Sequence, residues 1–375
     1  MLVAIIAEYN PFHNGHLYQI NEIKNKYPES KIAVIMSSSF VQRGEAAILD
    51  KYSRAKCAIK SGVDLVIELP VLFSTQNAEV FAKGAVGILK YLNPDGLAFG
   101  CESEIDLLTK IISKVDEAQE DILKDSLAFG ESYMKAMESA CDFTDDEKFA
   151  FRKSNNILAM EYIKACRECG LETEFIPIKR VGTEYNDDFS SGEFASASYI
   201  RDHLEQGFKF MPEFSWDELK LLREDKFSIY DIFRFKMVED PSLSSYLDYE
   251  DGMENLFLKN IHKGYGDFLE SCTSKRYSRS RIKRIILSKV LGLEKDLIKR
   301  NMGKPYLRVL AASDSGFEII KNSKADVLVN FKNIREERFD SIREISDMEV
   351  KATNFYELLK GGKLNRDFTE NFIKY

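Results

Sequence analysis

The sequence predicts an α/β fold, with a doubly wound, Rossmann-like parallel sheet followed by a mainly helical C-terminal region. Short apolar segments alternate with helix-length segments in the first half, the apolar segments are nearly continuous, and the pattern after Pro212 is mainly helical. Continuous apolar strands are typical of parallel sheets covered on both faces. Right-handed crossovers then give a doubly wound sheet, which binds ligands at the carboxyl ends of its strands.

Apolar runs and helix stop signals place the elements in order. A helix over 49–61 ends at Gly62, and another over 154–164 begins at the capping residue Ser154. We place a domain boundary before Pro212, between regions 1–211 and 212–375. Strands are predicted at 2–8, 31–36, 63–68, 96–100, 172–178 and 304–310. The other helices are predicted from 15 onward, at 78–92, through 105–151, from 199, at 216–223, 229–238 and 254–261, and along the basic stretch beyond.

The composition is that of an ordinary soluble protein. The 375 residues are 44% hydrophobic and 30% charged, and this length favours two domains. No stretch reaches the roughly 18 apolar residues of a membrane span, and the N-terminus lacks the basic segment of a signal peptide. The six cysteines are scattered, and Cys166 and Cys169 lack a second pair at zinc spacing. We therefore expect a cytoplasmic protein with reduced thiols, no resident metal and no membrane contact.

The charge is distributed unevenly. Residues 263–308 hold thirteen Lys and Arg against four acidic residues, a local excess of +9 in a chain of net charge −8. The rest of the chain therefore sums to −17. This asymmetry indicates one basic surface on an acidic protein.

The first apolar strand runs into a loop with two of the four histidines, and a helix follows. A helix N-terminus offers unpaired N–H groups and a positive dipole end, which suits phosphate. Pro11 restrains the turn, and Gly15 allows close backbone approach. His13 and His16 lie three residues apart, so both rings can face one phosphate and stabilise charge when a phosphoryl bond breaks.

Several motifs together resemble the tRNA(Met) cytidine acetate ligase family, within the HIGH-type nucleotidyltransferase superfamily. The first is Glu-Tyr-Asn-Pro-Phe-His-Asn-Gly-His at 8–16, and a later element is Ser-Ala-Ser-Tyr-Ile-Arg at 196–201. The likeness runs from residue 1 to about 310. The other motifs lie at 42–45, 50–51, 54–56, 99–103, 155–158 and 277–284.

This resemblance implies an ATP-binding catalytic domain over 1–211 and a tRNA-binding domain over 212–375. In the family, ATP activates acetate as acetyl-adenylate, and the acetyl group passes to N4 of the wobble cytidine of elongator methionine tRNA. We expect ATP with Mg²⁺, acetate and tRNA to bind, and no DNA partner. The catalytic pair implied is His13 and His16.

The remaining nucleotide contacts are expected from segments that converge at the carboxyl ends of the strands. Each has a structural alternative: His16 can simply cap a helix, Asn10 and Asn14 can shape the turn, and Gly100 can supply a positive φ. Ser196 can likewise be a plain helix cap. The expected ATP-binding residues are Ala7, Glu8, Tyr9, Asn10, Asn14, Gly15, Gly100, Asn155, Asn156, Arg180, Val181, Ser196, Ser198 and Arg201.

One of Asn155 and Asn156 is expected to cap a helix, while the other reads the adenine edge with its amide. Arg180 can reach the phosphates or be merely solvated. Lys51 and Arg54 can meet tRNA or triphosphate, or lie on a solvated helix face.

The basic segment is the expected tRNA surface, since its density of cations can track a phosphate backbone. Tyr277 and Tyr265 can stack unpaired bases. The alternative is an ordinary charged helix face, because Ile282, Ile285 and Ile286 form a buried stripe. The expected RNA-binding residues are Lys275, Arg276, Tyr277, Arg279, Arg281, Lys283, Arg284 and Lys289.

Two other functions remain open from the residues alone. One is an adenylyltransferase acting on a small phosphate-bearing metabolite, which leaves the basic segment unexplained. The other is an RNA-binding protein that senses ATP without chemistry, and the two intact histidines argue against it.

Overall fold

A computed structural model of the chain describes residues 1–179 and 192–375. Arg180 and Val181, expected to contact ATP, lie outside the described residues. The strands are β1 Leu2–Ala7, β2 Lys31–Ser37, β3 Phe40–Val41, β4 Glu45–Ala46, β5 Leu65–Leu69, β6 Gly96–Cys101, β7 Glu174–Lys179, β8 Leu307–Ala312, β9 Val327–Leu328 and β10 Ile373–Lys374.

Helices cover the sheet and build the region between β7 and β8. The first ten are α1 Asn14–Lys26, α2 Lys51–Lys60, α3 Val71–Ser74, α4 Ala78–Leu92, α5 Ile105–Asp116, α6 Glu120–Ala128, α7 Tyr133–Ala140, α8 Asp145–Phe151, α9 Ser154–Cys169 and α10 Ala197–Asp202. The others are α11 Glu213–Leu219, α12 Ile229–Glu239, α13 Met253–Asn260, α14 Tyr265–Cys272, α15 Arg279–Leu291, α16 Lys295–Asn301, α17 Asp314–Lys321, α18 Arg343–Leu359 and α19 Arg366–Thr369.

The sheet confirms the predicted α/β class. Its strand order is β10-β8-β5-β2-β1-β6-β7, with β9 beside β8. The pairs β5–β2, β2–β1, β1–β6 and β6–β7 are parallel. Alternate residues of β1 bury into different cores: Ala4 packs in one, and Val3 and Ile5 pack in the other. This is the two-sided burial that the continuous apolar strands predicted.

The region between β7 and β8 has an apolar core of its own. It gathers aromatic and aliphatic side chains from α12, α13, α14 and α15, including Phe233, Phe257, Phe268 and Ile285. The helices predicted over this region are therefore present. Within the described ranges, no helix is long and apolar enough to cross a membrane.

The last part of the chain returns to the sheet. The sequence predicted a mainly helical region over 212–375 with one strand at 304–310, and that strand corresponds to β8. It pairs antiparallel with β5, however, and β10 pairs with β8. The sheet is therefore mixed at this edge, and the mainly helical stretch is the part between β7 and β8. The boundary at Pro212 itself stays a prediction.

A buried ionic cluster joins this returning segment to the sheet. Lys51 on α2 binds Glu68 on β5, Glu349 on α18 and Asp367 on α19, and Arg308 on β8 binds Glu68 and Asp367. All five side chains are essentially inaccessible to solvent. Lys51 was expected on a tRNA, triphosphate or solvent face, and this expectation is wrong, because Lys51 is an internal counter-ion.

Candidate active site at the carboxyl ends of the strands

A cavity of about 620 Å³ opens at the carboxyl ends of β1, β6 and β7. Its wall comes from the loop after β1, the end of β6, and the first turns of α9, α10 and α15. Its volume lies in the range of small-molecule and cofactor sites. The elements predicted to converge at this edge therefore line one cavity.

The two histidines form the N-terminus of α1. His13 is the N-cap residue: its Nδ1 accepts from the Gly15 N–H at 3.0 Å, and the His16 Nδ1 accepts from the His13 N–H at 3.2 Å. The rings stack with centroids 3.7 Å apart. Because each Nδ1 is an acceptor, the proton of each ring is on Nε2, and both Nε2–H groups are hydrogen-bond donors. Both rings also line the cavity.

Helix capping and a place in the cavity wall are therefore combined in the same residues. His16 does cap the helix, as the structural alternative proposed, but through Nδ1. Gly15 has a sterically defined role, because a Cβ there would lie 2.9 Å from Cε1 of His13. A larger residue at this position would displace the His13 ring.

Glu8 is a half-buried acid in the cavity wall. Its Oε1 accepts from the Gln42 N–H at 2.7 Å. Burial raises the pKa of Glu8, while the Gln42 N–H and nearby Arg43, Arg201 and Arg54 oppose this shift. Glu8 and these arginines make the cavity strongly polar at one end.

Arg201 lines the cavity. It donates to the backbone oxygen of Asn10 at 2.7 Å and to Oγ of Ser198 at 3.2 Å. Arg43 donates to the same Ser198 oxygen at 3.2 Å. Ser198 therefore joins two arginines at the cavity wall. The Ser196 Oγ accepts from the Tyr199 N–H at 3.0 Å, so Ser196 is also the helix cap that the structural alternative described.

Asn155 and Asn156 have different surroundings. Asn155 lines the cavity and donates to Oε1 of Glu102 at 2.6 Å. Asn156 is fully buried: it accepts from the Glu102 N–H at 2.9 Å and donates to Ser103 and to the backbone of Ala150. Its contact with ATP is therefore excluded by burial, and it orders the loop after β6 instead. Neither asparagine is the helix cap, which is Lys153.

The other residues expected to contact ATP also differ in whether they line the cavity. Ala7, Tyr9, Asn10 and Gly100 line the cavity. The Asn10 side chain accepts from the Ile48 N–H at 2.7 Å, so this amide shapes the loop. Asn14 lies outside the cavity wall and donates to the backbone of Glu193 at 2.8 Å.

Gly100 pairs with Ile178 within the sheet, and its φ is not positive. The alternative that Gly100 is there to supply a positive φ is therefore wrong.

Several residues that line the cavity were not among the predicted site residues. Arg43 belonged to a recognised motif, but its role was not assigned. Tyr18, Gln19 and Tyr162 carried no signal, because helix faces around a cavity look like ordinary amphipathic faces. Ser280 and Arg284 also line the cavity, although Arg284 was assigned to RNA.

The basic helix α15 is docked beside the cavity. Gly44, with φ +74°, lies so close to the backbone of Lys283 and Arg284 that a Cβ would clash at 2.5 Å. Lys283 forms an ion pair with Glu45, and Nε of Arg284 donates to Asp248 at 2.5 Å. The expected RNA surface and the cavity therefore share one helix.

The basic segment is only partly exposed. Lys275, Arg276 and Arg279 are exposed, whereas Arg281 is half-buried. Arg276 and Arg281 both bind Glu250, and both guanidinium groups lie near the Tyr277 ring. Lys289 is buried, and its Nζ donates to Asp240 at 2.8 Å.

Burial excludes Lys289 from the surface on which it was expected. Tyr265, which was expected to stack an unpaired base, stacks on the Tyr230 ring, with ring centroids 5.2 Å apart.

Arg54 holds the backbone at the start of the histidine loop. This fully buried guanidinium donates to the backbone oxygens of Glu8 at 2.7 Å, Ser37 at 2.9 Å and Leu49 at 3.0 Å. Its expected contact with tRNA, triphosphate or solvent is therefore wrong. Arg54 instead fixes the backbone from which Glu8 and the histidine loop start.

The parallel sheet, the histidine pair on the first helix and the cavity between strand ends define a nucleotidyltransferase of the HIGH type. Consistent with this class, the family described as HIGH Nucleotidyl Transferase matches residues 1–371.

A tRNA(Met) cytidine acetate ligase of Clostridium perfringens is 36% identical, with 98% of each chain covered. Another from Caldanaerobacter subterraneus subsp. tengcongensis is 38% identical, with 86% of each covered. The crystal structure of Thermotoga maritima TmcAL bound with α-thio ATP superimposes with a TM-score of 0.87 at 29% identity, and covers 100% of both chains. The apo form I of that protein gives a TM-score of 0.89 at 30% identity. The chain belongs to the tRNA(Met) cytidine acetate ligase family.

Proposed function

We propose that this chain is an ATP-dependent ligase that activates acetate as acetyl-adenylate and transfers the acetyl group to N4 of the wobble cytidine of elongator tRNA(Met). The observation that carries the proposal is the stacked histidine pair, with both Nδ1 atoms held by backbone N–H groups, at a cavity in a chain of this family. The Thermotoga maritima relative, bound to an ATP analogue, supports ATP as the nucleotide.

In the first half-reaction an acetate oxygen attacks the α-phosphorus of ATP. The α–β P–O bond breaks, and pyrophosphate leaves. Negative charge grows on the phosphate oxygens as this happens. The Nε2–H groups of His13 and His16 are donors whose positions are set before reaction, so they stabilise this charge without reorganisation. Arg43 and Arg201 add positive charge at the same cavity.

In the second half-reaction N4 of the cytidine attacks the acetyl carbon. The C–O bond to AMP breaks, the amide C–N bond forms, and the nitrogen loses one proton. Asn155 is the better candidate for an adenine contact, since Asn156 is buried among protein partners. Expected contacts from Arg180 and Val181 remain predictions.

Magnesium enters this proposal as part of the Mg·ATP substrate. Among the described residues, no group of three or more His, Cys, Asp and Glu side chains could hold a metal ion. The cavity carboxylates are already engaged, Glu8 by the Gln42 N–H and Glu45 by Lys283. Magnesium commonly keeps several waters and binds mainly through substrate phosphates, which fits this arrangement.

The tRNA is proposed to approach over the exposed cations near the start of α15, chiefly Lys275 and Arg279. This places RNA beside the adenylate, because Ser280 and Arg284 of the same segment line the cavity. We propose a cytoplasmic location, where this substrate is found.

The proposal is tested with labelled acetate, Mg·ATP and total tRNA. After digestion of the RNA, the expected product is labelled N4-acetylcytidine, formed only with ATP and lost in His13→Ala. ATP cleavage to AMP and pyrophosphate without label in RNA would refute the tRNA acceptor but retain the adenylation site. A reaction that needs no RNA at all would favour a metabolite adenylyltransferase.

A further inference from the structure

A second cavity of about 640 Å³ lies beside the proposed ATP site. It is formed by the turn between α6 and α7, the body of α7, the start of α9 and the exposed loop before α15. Ile157 lines both cavities, so they adjoin at this residue. Lys275, proposed above to meet the tRNA, lines this second cavity, but no other role assigned above uses it.

Its wall combines apolar surface with basic groups. Phe129, whose residue is 89% exposed, lies at the cavity with Met134 and Ile157. Lys275, the first cation of the dense part of the basic segment, lines it from the other side. An exposed aromatic ring beside a cation is the combination that stacks a base and holds its phosphate.

The charges of the wall favour an anionic ligand. Arg152 is already paired with Glu138, through hydrogen bonds of 2.6 and 2.5 Å. This leaves Lys135 and Lys275 against the single carboxylate of Glu131 among the charged lining residues. A phosphate can therefore be accepted without displacing the Arg152 pair.

The position of the cavity identifies its occupant. The reacting N4 must reach the acetyl carbon in the first cavity, so the neighbouring nucleotides of the same single-stranded loop lie just outside it. The second cavity adjoins the first at Ile157 and continues the exposed cationic surface at Lys275.

We propose that the second cavity binds an unpaired base flanking the acceptor cytidine, stacked on Phe129 with its phosphate near Lys275. This inference rests on the proposed function. Phe129 thus becomes a specificity residue for the RNA, whereas adenylate formation does not use it.

The test measures the KM for tRNA in acetate incorporation, and ATP–pyrophosphate exchange with acetate, in the full chain. Phe129→Ala should raise the KM for tRNA about tenfold, since loss of one base stack has an effect of this order. Exchange should be unchanged. Phe129→Trp retains an aromatic face and should keep the KM near that of the wild type.

Phe235→Ala is the matched control, because Phe235 is also an exposed phenylalanine, 62% exposed, but lies on α12 away from this cavity's lining. A wild-type KM in Phe129→Ala, or an equal rise in Phe235→Ala, would overturn the inference. A change in sedimentation with no change in KM would assign the surface to a second copy of the chain instead. Absence of acetate-dependent ATP–pyrophosphate exchange in the wild-type protein would refute the proposed function itself.

Discussion

The N-termini of α1 and α2 are built alike but serve opposite purposes. Each follows a loop and carries ring or charged side chains in its first turn, His13 and His16 on α1 and Lys51 and Arg54 on α2. On α1 these side chains line a cavity. On α2 they are fully buried, and Asp50 provides the cap.

The difference comes from residues far away in the sequence. Helices α18 and α19 bring Glu349 and Asp367 onto Lys51, and these close the first turn of α2 under a layer of protein. The first turn of α1 opens on the space between strand ends. A polar helix start is therefore not itself evidence of a site, and what packs against it decides its role.

The largest expected effect is the loss of the buried cation on α2. Lys51→Met should lower the free energy of unfolding by about 3–5 kcal/mol, because three buried carboxylates lose a shared counter-ion. Urea denaturation measures this change. Lys60→Met, an exposed lysine on the same helix, should change stability by less than about 0.5 kcal/mol. Equal stabilities for the two variants would show that the cluster is not needed.

The corresponding change on α1 should affect catalysis more than stability. His13→Ala and His16→Ala should each reduce acetate-dependent ATP–pyrophosphate exchange by about 100- to 1000-fold, the loss typical of a preorganised donor. Loss of the cap should cost about 1 kcal/mol of stability. His262→Ala, a histidine outside the cavity wall, should exchange normally. Normal exchange in His13→Ala would refute the catalytic assignment.

The buried cluster should also make stability depend on pH. Two cations face three carboxylates in this cluster. Burial and the negative charge of Glu68 raise the pKa of Glu349 to about 7, although Lys51 opposes this shift. Because the pKa of Glu349 is higher in the folded than in the unfolded chain, protonated Glu349 favours the folded state. This contribution to stability is complete below about pH 4.5 and is lost as pH rises through about 7.

The free energy of unfolding should therefore fall by up to about 1.4 kcal/mol per pH unit within this window. Urea denaturation from pH 5 to 8 measures the slope. Asp367 acts oppositely at lower pH, since Lys51 and Arg308 lower its pKa despite burial. Glu349→Gln should flatten the slope between pH 5 and 7, and an unchanged slope would assign the titration to another group.

The smallest effect is expected at the exposed cations. Arg279→Glu should weaken tRNA binding by about threefold to tenfold and reduce the salt dependence of affinity by about one unit. Filter binding at several salt concentrations measures both quantities. Lys324→Glu, an exposed lysine outside the basic segment, is the control and should bind tRNA normally. Arg284 is a poorer probe of RNA binding, since it also lines the ATP cavity.

Local sequence signals predicted much of the fold. The first strands, the helix at Ala78–Leu92 and the loop with two histidines are where periodicity and composition placed them. The membership of β8 in the sheet was not readable, because pairing with β5 depends on contacts between distant segments. Local reasoning also cannot separate Asn155 from Asn156, since these are two identical adjacent residues of one helix and differ in the tertiary contacts around them.

Charged residues were the hardest to place. Lys51, Arg54 and Lys289 are all buried, although their positive charge suggested positions on the surface. Each is hydrogen-bonded to partners from elsewhere in the fold, which offsets the cost of burying its charge. The catalytic roles of the two histidines and the RNA-binding roles of the exposed cations stay predictions.

The antiparallel pairing of β5 with β8 has a consequence for synthesis. About 240 residues separate these neighbouring strands. At roughly 5–20 residues per second, a ribosome would need on the order of 10–50 s to supply the second strand after the first. During that time the backbone edge of β5 has no β8 to pair with, and an open apolar edge can pair with another chain. The nascent protein therefore passes through an interval of aggregation risk that the finished sheet no longer has.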